Sequence, residues 1–408
     1  MLTPGWLNWR RFKTPPSHMI RALGYRRYRC RWLVVALVLA SLALPSASAS
    51  GSRPHCAPGQ SLRACATGLS ASVSGANQCQ STASSPAPPP QAQTSAGRLA
   101  SLIEDVPCPD TGRISYDTSD DHGDSMAVLD SFPDPAGGYL GVYHTAFGAQ
   151  LGAKTLEFRI SLAHSADLIH WTRIAVLDPL GASMPTVGAI PGAPGYLLAY
   201  EKRLSSGRNI VRLRYYRTLS DLLAGRFAAQ RDLPRCFSPF NNGTPTILSV
   251  RWNGAITRSV IELGFHYESA IKGRPGPDRE ATGTLRDFRA WSPRMDASTD
   301  AALDRAGLWG SHGDWRAFSF DGASWRIYEA QTSFNDFGTW RVLLDSSGQM
   351  DPLTLNTASG AVSSSIGNPV AQAEPAPDGQ GQVLVVTMFL FAAYTSGQSG
   401  ELVYYQPI

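Results

Sequence analysis

The chain has 408 residues, 43% of them apolar, which is enough for one large or two modest hydrophobic cores. Its formal net charge of +4 comes from one end: residues 1–50 hold eight of the 36 basic residues and no acidic one, leaving 28 basic against 32 acidic residues, a net −4, in the rest. The basic balance is therefore no footprint of nucleic acid, and none is expected as a partner.

The basic stretch runs into the apolar segment Trp32–Leu44, then Pro45 and the small residues Ala47-Ser48-Ala49. That is the order of a secretory signal, expected over residues 1–49 with Met19 as an alternative start. Thirteen apolar or small residues are too few to span a bilayer comfortably. Export without stable membrane insertion, an extracellular location and a monomeric state are expected. Residues 50–107 are rich in Ser, Ala and Pro, including Ser84-Ser-Pro-Ala-Pro-Pro-Pro90, and offer too little apolar surface to repay ordering. They are expected to be a linker or stalk. Five cysteines follow the leader, Cys56, Cys65, Cys79, Cys108 and Cys236, an odd number that leaves at least one free or paired outside the chain. No Cys-x-x-Cys or His-x-x-x-His pair occurs, which argues against a structural zinc site.

From 108 to 408 the pattern is one of short strands. Runs such as Gly138-Tyr-Leu-Gly-Val-Tyr-His144 and Gly195-Tyr-Leu-Leu-Ala-Tyr-Glu201 are divided by Gly, Pro, Asp and Ser, with almost no helical period. The stretch Ser165-Ala-Asp-Leu-Ile-His-Trp171 recurs in degenerate form at Asp221, Asp287 and Asp336, each followed within a few residues by an aromatic. An Asp suits a tight turn because its carboxylate accepts N–H groups the turn leaves unpaired, and the aromatic returns to the apolar layer. The spacings of 54, 66 and 49 residues are those of a propeller blade or solenoid unit. Five units open at Asp124, Ser183, Asn242, His312 and Gly367, each with room for about four strands. The expected class is all-β, a five-bladed β-propeller over 108–408.

The second strand of four units ends in an aromatic followed by a titratable group: Tyr143-His144, Tyr200-Glu201, Phe265-His266 and Tyr328-Glu329. Equal register places these groups at equal heights around an axis. The strand openings add Asp124, Asn242, His312 and Asp314. Carboxylates and imidazoles facing one pocket perturb one another's proton affinity, as acid–base chemistry requires.

The first unit, with its Ser-x-Asp-Leu-x-x-Trp corner, resembles the blades of the five-bladed propeller glycosidases, families 43 and 32 of the glycoside hydrolases. Met184-Pro185 is similar to the Ala-Pro that opens a family 43 blade, and Asn242-Gly-Thr-Pro245 to the Glu-Gly-Pro that carries that family's general acid. The resemblance implies a glycoside hydrolase acting on an oligo- or polysaccharide, with Asp124 as base. At the acid position stands Asn242, and an amide cannot donate that proton, so Glu201, Glu329 or Asp314 would have to take the role. The expected catalytic residues are Asp124, Glu201 and Glu329, with His144, Asn242, His266, His312, Asp314 and Trp315 binding substrate. No cofactor is expected, apart from an axial calcium left open near His312 or His266. Two other classes stay open: a sugar-binding propeller without turnover, in which Trp309, Trp315 and Tyr267 stack on pyranose faces, and an interaction domain on a stalk. Finally, the alternating segment Arg113–Tyr116 is expected to close the ring by pairing beside Leu402–Tyr405, since an open propeller would expose its edges.

Overall fold

The computed structural model describes residues 94–147, 157–346, 348–357, 362–391 and 400–408. The expected signal and most of the expected linker lie outside the described residues. Strand β1 is Ile114–Tyr116. Blade one comprises β2 (Ala127–Pro133), β3 (Tyr139–Phe147), β4 (Glu157–Ser165) and β5 (Thr172–Asp178). Blade two comprises β6 (Ala182–Ala189), β7 (Tyr196–Arg203), β8 (Asn209–Tyr216) and β9 (Ala229–Asp232). Blade three comprises β10 (Asn242–Arg251), β11 (Val260–Ile271), β12 (Arg274–Arg286) and β13 (Ala290–Met295). Blade four comprises β14 (His312–Phe320), β15 (Ala323–Gln331), β16 (Trp340–Ser346) and β17 (Gln349–Pro352). A short pair follows, β18 (Leu355–Asn356) with β19 (Val362–Ser363). Blade five joins β20 (Ile366–Pro375), β21 (Gln382–Leu390) and β22 (Gly400–Pro407) to β1, so the chain is a five-bladed propeller.

Strand alternation explains how a blade is buried on both faces. Along β7, Tyr196, Leu198 and Tyr200 pack on Leu140, Val142 and Leu162 of blade one, whereas Leu197 and Ala199 pack with Ile261, Leu263 and Phe265 of blade three. Each fully buried side chain of this kind contributes about 1.5–3 kcal/mol. Between blades three and four, Trp315 lies on the bare backbone of Gly264, where any Cβ would collide with its ring, and stacks on Tyr328 at 5.4 Å. Trp315 is thus a packing residue at 3% exposure, as is the buried Tyr267, and neither offers a face to a sugar. Trp309 is exposed, at 68%, but is not among the residues lining the cavity described below.

The ring closes as expected. Ile114, Ser115 and Tyr116 pair with Tyr404, Val403 and Leu402, and Tyr405 N–H donates to Arg113 O at 3.0 Å. Three of the four Asp corners are equivalent: Asp167, Asp221 and Asp287 all lie between the third and fourth strands of their blades. At the first of these, burial pushes the Asp167 carboxyl up, but the N–H groups of His170 and Ile169 outweigh it and hold the pKa down at about 2. Asp336 corrects the expected equivalence, because it sits one strand earlier, between β15 and β16, where it accepts from Gly338 N–H at 3.2 Å. The true outer corner of blade four is Asp345, which accepts from Gly348 N–H at 2.6 Å.

The expected linker also needs correction at its end. Ser95–Glu104 is a helix, N-capped by Thr94, whose hydroxyl accepts from Gly97 N–H at 3.2 Å. Leu99 and Ile103 are one turn apart on its inner face and fully buried among Ile327, Leu384 and Tyr404, beneath blades four and five. Cys108 is disulfide-bonded and Cys236 is a free thiol. Among the described residues, no helix is long and apolar enough to cross a membrane.

At the axis, the buried Arg316 of β14 spans the ring. Its guanidinium donates to Pro185 O of β6 at 3.1 Å, to Trp315 O at 3.0 Å and to the Asp314 carboxylate. Leu99→Ala removes a side chain from the seam between blades and is expected to destabilise the whole propeller by roughly 2–5 kcal/mol. Urea denaturation followed by Trp fluorescence checks this, and a loss confined to a separate minor transition would show that the helix is not part of the cooperative unit.

Candidate functional site

All five inner strands share a feature that side-chain pattern does not reveal. Each slips its register near its start, at Ala127/Asp130, Ser183/Thr186, Gly243/Thr246, His312/Trp315 and Gly367/Val370. In four of these bulges a non-glycine residue holds a left-handed backbone: Val128 (φ 53°), Met184 (φ 52°), Thr244 (φ 41°) and Asn368 (φ 50°). Such a conformation costs on the order of 1–3 kcal/mol, most for β-branched residues, and bulges re-aim side chains next to active sites. One end of the axis is therefore a strained, deliberately shaped mouth.

There the blades enclose a cavity of about 240 Å³. Inner-strand openings supply Ser183, Met184 and Asn368, second-strand ends supply His144, Glu201 and Glu329, and third-strand openings supply Phe158, Asn209, Trp340 and Glu401. Phe337, Phe389 and Phe391 complete an aromatic wall, with Phe389 and Phe391 edge-to-face at 4.9 Å and Phe337 and Phe391 at 5.8 Å.

Glu329 is buried in a cradle of two glycines, since a side chain at Gly313 or Gly367 would run into its carboxyl group. Asp314 N–H donates to its Oε1 at 2.9 Å and Asn368 N–H to its Oε2. Burial, helped by the Asp314 carboxylate, outweighs these donors and raises its pKa to about 7. Glu201 lies over Gly243 of blade three and accepts from Asn209 Nδ2 and, at 3.4 Å, from Ser183 Oγ. Burial raises its pKa too, against the opposing pull of His266. His144 accepts from Met184 N–H at 3.1 Å, and burial lowers its pKa to about 3, so the imidazole is neutral. Asp314 is fully buried, with burial raising its pKa to about 6 despite the Arg316 contact.

The other expected residues are not brought to this cavity. The Asp124 carboxylate is ion-paired with both Arg159 and Arg173, and Asp124 is absent from the cavity lining. Asn242 donates to Cys236 Sγ at 3.1 Å. His266 bonds Thr244 Oγ1, and burial lowers its pKa. The two ring nitrogens of His312 are taken by Asp300 Oδ1 at 2.7 Å and Leu308 O at 3.2 Å. Among the described residues, no group of three or more His, Cys, Asp or Glu side chains is arranged to hold a metal ion. The residues missed in sequence are those opening the third strands, above all Glu401; the equal-register rule, applied to third strands as well as second, points to them.

No family model matches the chain, and no curated protein matches it. Solved structures similar to it include a glycosyl hydrolase from Bacteroides ovatus, 10% identical over 74% of this chain and 88% of its own, with a TM-score of 0.42. A thermostable family-43 glycoside hydrolase is 11% identical over 69% and 88% of the two chains, with a TM-score of 0.39. An alpha-L-arabinanase from Penicillium chrysogenum, complexed with arabinobiose, is 12% identical over 72% and 98%, with a TM-score of 0.39. Overlaps at this level leave the chemistry to be read from this chain's own side chains.

The raised Glu329 pKa has a definite sign. The folded protein keeps this proton up to about pH 7, whereas the unfolded chain releases it near its ordinary 4.5, so stability falls as pH rises across that window. Glu329→Gln is expected to lessen the fall by on the order of 1 kcal/mol per pH unit. Denaturant midpoints at pH 5 and pH 7 measure it, and an unchanged slope would show that Glu329 is ionised throughout.

Proposed function

We propose that this chain is an exported carbohydrate-active enzyme that hydrolyses a glycosidic bond in an oligo- or polysaccharide, with Glu329 as general acid and Glu201 as the partnering carboxylate. One observation carries the reading: a buried carboxylate, Glu329, and a partly buried one, Glu201, face one aromatic-walled cavity on the propeller axis, and Glu329 is held half-protonated near neutral pH. A leaving sugar oxygen needs a proton from a group whose pKa lies near the working pH, which burial gives Glu329. The second carboxylate activates water or stabilises the positive charge that develops on the sugar ring, and the aromatic wall suits the apolar face of a pyranose. The neutral His144 and the Asn209 amide are hydrogen-bonding groups at the same cavity. Asp124 is left outside the pair, since a carboxylate held by two guanidinium groups is a poor base. The basic-then-apolar leader supports export to the extracellular space.

A panel of aryl glycosides and plant or microbial polysaccharides tests the reading. Cleavage is expected to decline above about pH 7 as Glu329 loses its proton, and Glu329→Gln and Glu201→Gln are each expected to lower kcat by about 10²–10⁴. Asp124→Asn should keep kcat within a few-fold. If Asp124→Asn abolishes turnover while Glu329→Gln spares it, the roles are wrongly assigned, and binding without release by the parent would leave a sugar-binding propeller.

A further inference from the structure

An acid and its partner account for two carboxylates, but the cavity has a third. Glu401 is the second residue of β22, cross-strand neighbour of Phe389, and 4% exposed. The oxygens of Glu201 and Glu329 are met by amide, hydroxyl and backbone N–H donors, whereas Oε2 of Glu401 has no hydrogen-bond partner among the described residues. A buried carboxyl oxygen left unpaired costs on the order of 1–3 kcal/mol, so a donor that arrives with the ligand recovers that energy.

The charges around it say what kind of donor. Asp117, on the loop that follows β1, lies close enough for its carboxylate to add to burial in raising Glu401 to a pKa of about 8. Across the cavity stand Glu329 and Glu201, and the imidazole of His144 is uncharged. The guanidinium at the cavity, that of Arg203, is ion-paired with Glu157 of β4. Three carboxylates thus share a space in which Arg203, the basic residue among the described lining residues, is already paired, next to Phe389, Phe391 and Phe337. Acidic groups combined with aromatic rings recognise an ammonium ion.

We propose that the sugar bound in this cavity carries a free, protonated amine and that Glu401 is the residue that reads it. The substrate class is a deacetylated amino-sugar oligomer, an inference that rests on the glycosidase reading only in making the ligand a sugar. The proton balance is simple. Below pH 8 Glu401 is largely protonated, so the incoming ammonium takes the place of its proton, the proton leaves to solvent, and a charge-assisted hydrogen bond forms between N⁺–H and Oε2.

The test is calorimetric binding at pH 6 in two buffers of different ionisation enthalpy, on Glu329→Gln protein so that turnover is slow relative to binding. The probes are glucosamine and galactosamine oligomers, their N-acetylated forms, and neutral gluco- and galacto-oligosaccharides of equal length. One of the amine series is expected to bind about ten-fold or more tightly than its neutral counterparts, with net proton release. Adding Glu401→Gln should erase both the preference and the proton release; Glu401→Asp, which keeps the charge, should retain part of the preference and guards against misfolding of the Gln variant. Equal affinity for amine and neutral sugars, or a preference that survives Glu401→Gln, overturns the proposal. An amine preference in a parent that cleaves nothing would instead overturn the hydrolase reading and leave this one standing.

Discussion

The arrangement depends on one buried cation. Arg316 is buried among the inner strands, tying blade four to Pro185 of blade two through a carbonyl and bonding its own Asp314 through a carboxylate. A buried ion pair is weak evidence of net stability, yet breaking one by removing a single partner costs about 3–5 kcal/mol because the other charge is stranded. Here the partner is Asp314, whose Oδ2 already lacks a bond among the described residues. The guanidinium also influences the Asp130 carboxylate of blade one, opposing the burial that raises its pKa. Three blades therefore meet on one side chain.

The same network reaches the chemistry. Asp314 gives its N–H to Glu329 and sets its carboxylate nearby, so it pulls the Glu329 pKa down through the first and up through the second, while Arg316 adds a weaker downward pull. The proton affinity of the cavity carboxyl, raised by burial, is thus adjusted by the groups beneath it. Rigid bulges hold the geometry: Asn368, at φ 50°, presents the N–H that meets Glu329 Oε2. Strain at the mouth and a charge in the hub serve the same two carboxyl oxygens.

Much of this could be read from residues alone. The Asp–aromatic corners and evenly spaced strands gave the blade count, and the alternation in Arg113–Tyr116 gave the closing strand. The second-strand rule placed His144, Glu201 and Glu329 at one cavity. It failed at His266 because blade three turns Gly243 rather than a side chain toward Glu201. The pairing of Asp124 could not be read from the sequence, because its two arginines follow 35 and 49 residues later, on other strands, and such pairing leaves no local mark. The inner-strand bulges were invisible for a similar reason: each shifts register by backbone geometry, without altering composition. Trp315 looked like a stacking platform until Gly264, 51 positions earlier in the sequence, proved to be the floor it lies on. Ser95–Glu104 hid in a polar, small-residue stretch with only Leu99 and Ile103 to bury.

Closing the ring with strands from both ends fixes the order in which the molecule can assemble. Tyr116 must wait for Leu402, nearly three hundred residues later, and Glu401 enters the cavity at the same moment. Blades two to four can form from contacts local to each, but the seam between blades five and one, with Val385 and Val403 against Leu129 and Trp171, has no partner until the last strand exists. Loop-closure entropy on that scale is slow to recover. During synthesis the first blade exposes an apolar face while the more than two hundred residues between Asp178 and Gly400 are made, so its fate before closure is a matter of kinetics and of whatever shields it, not of the stability of the finished ring.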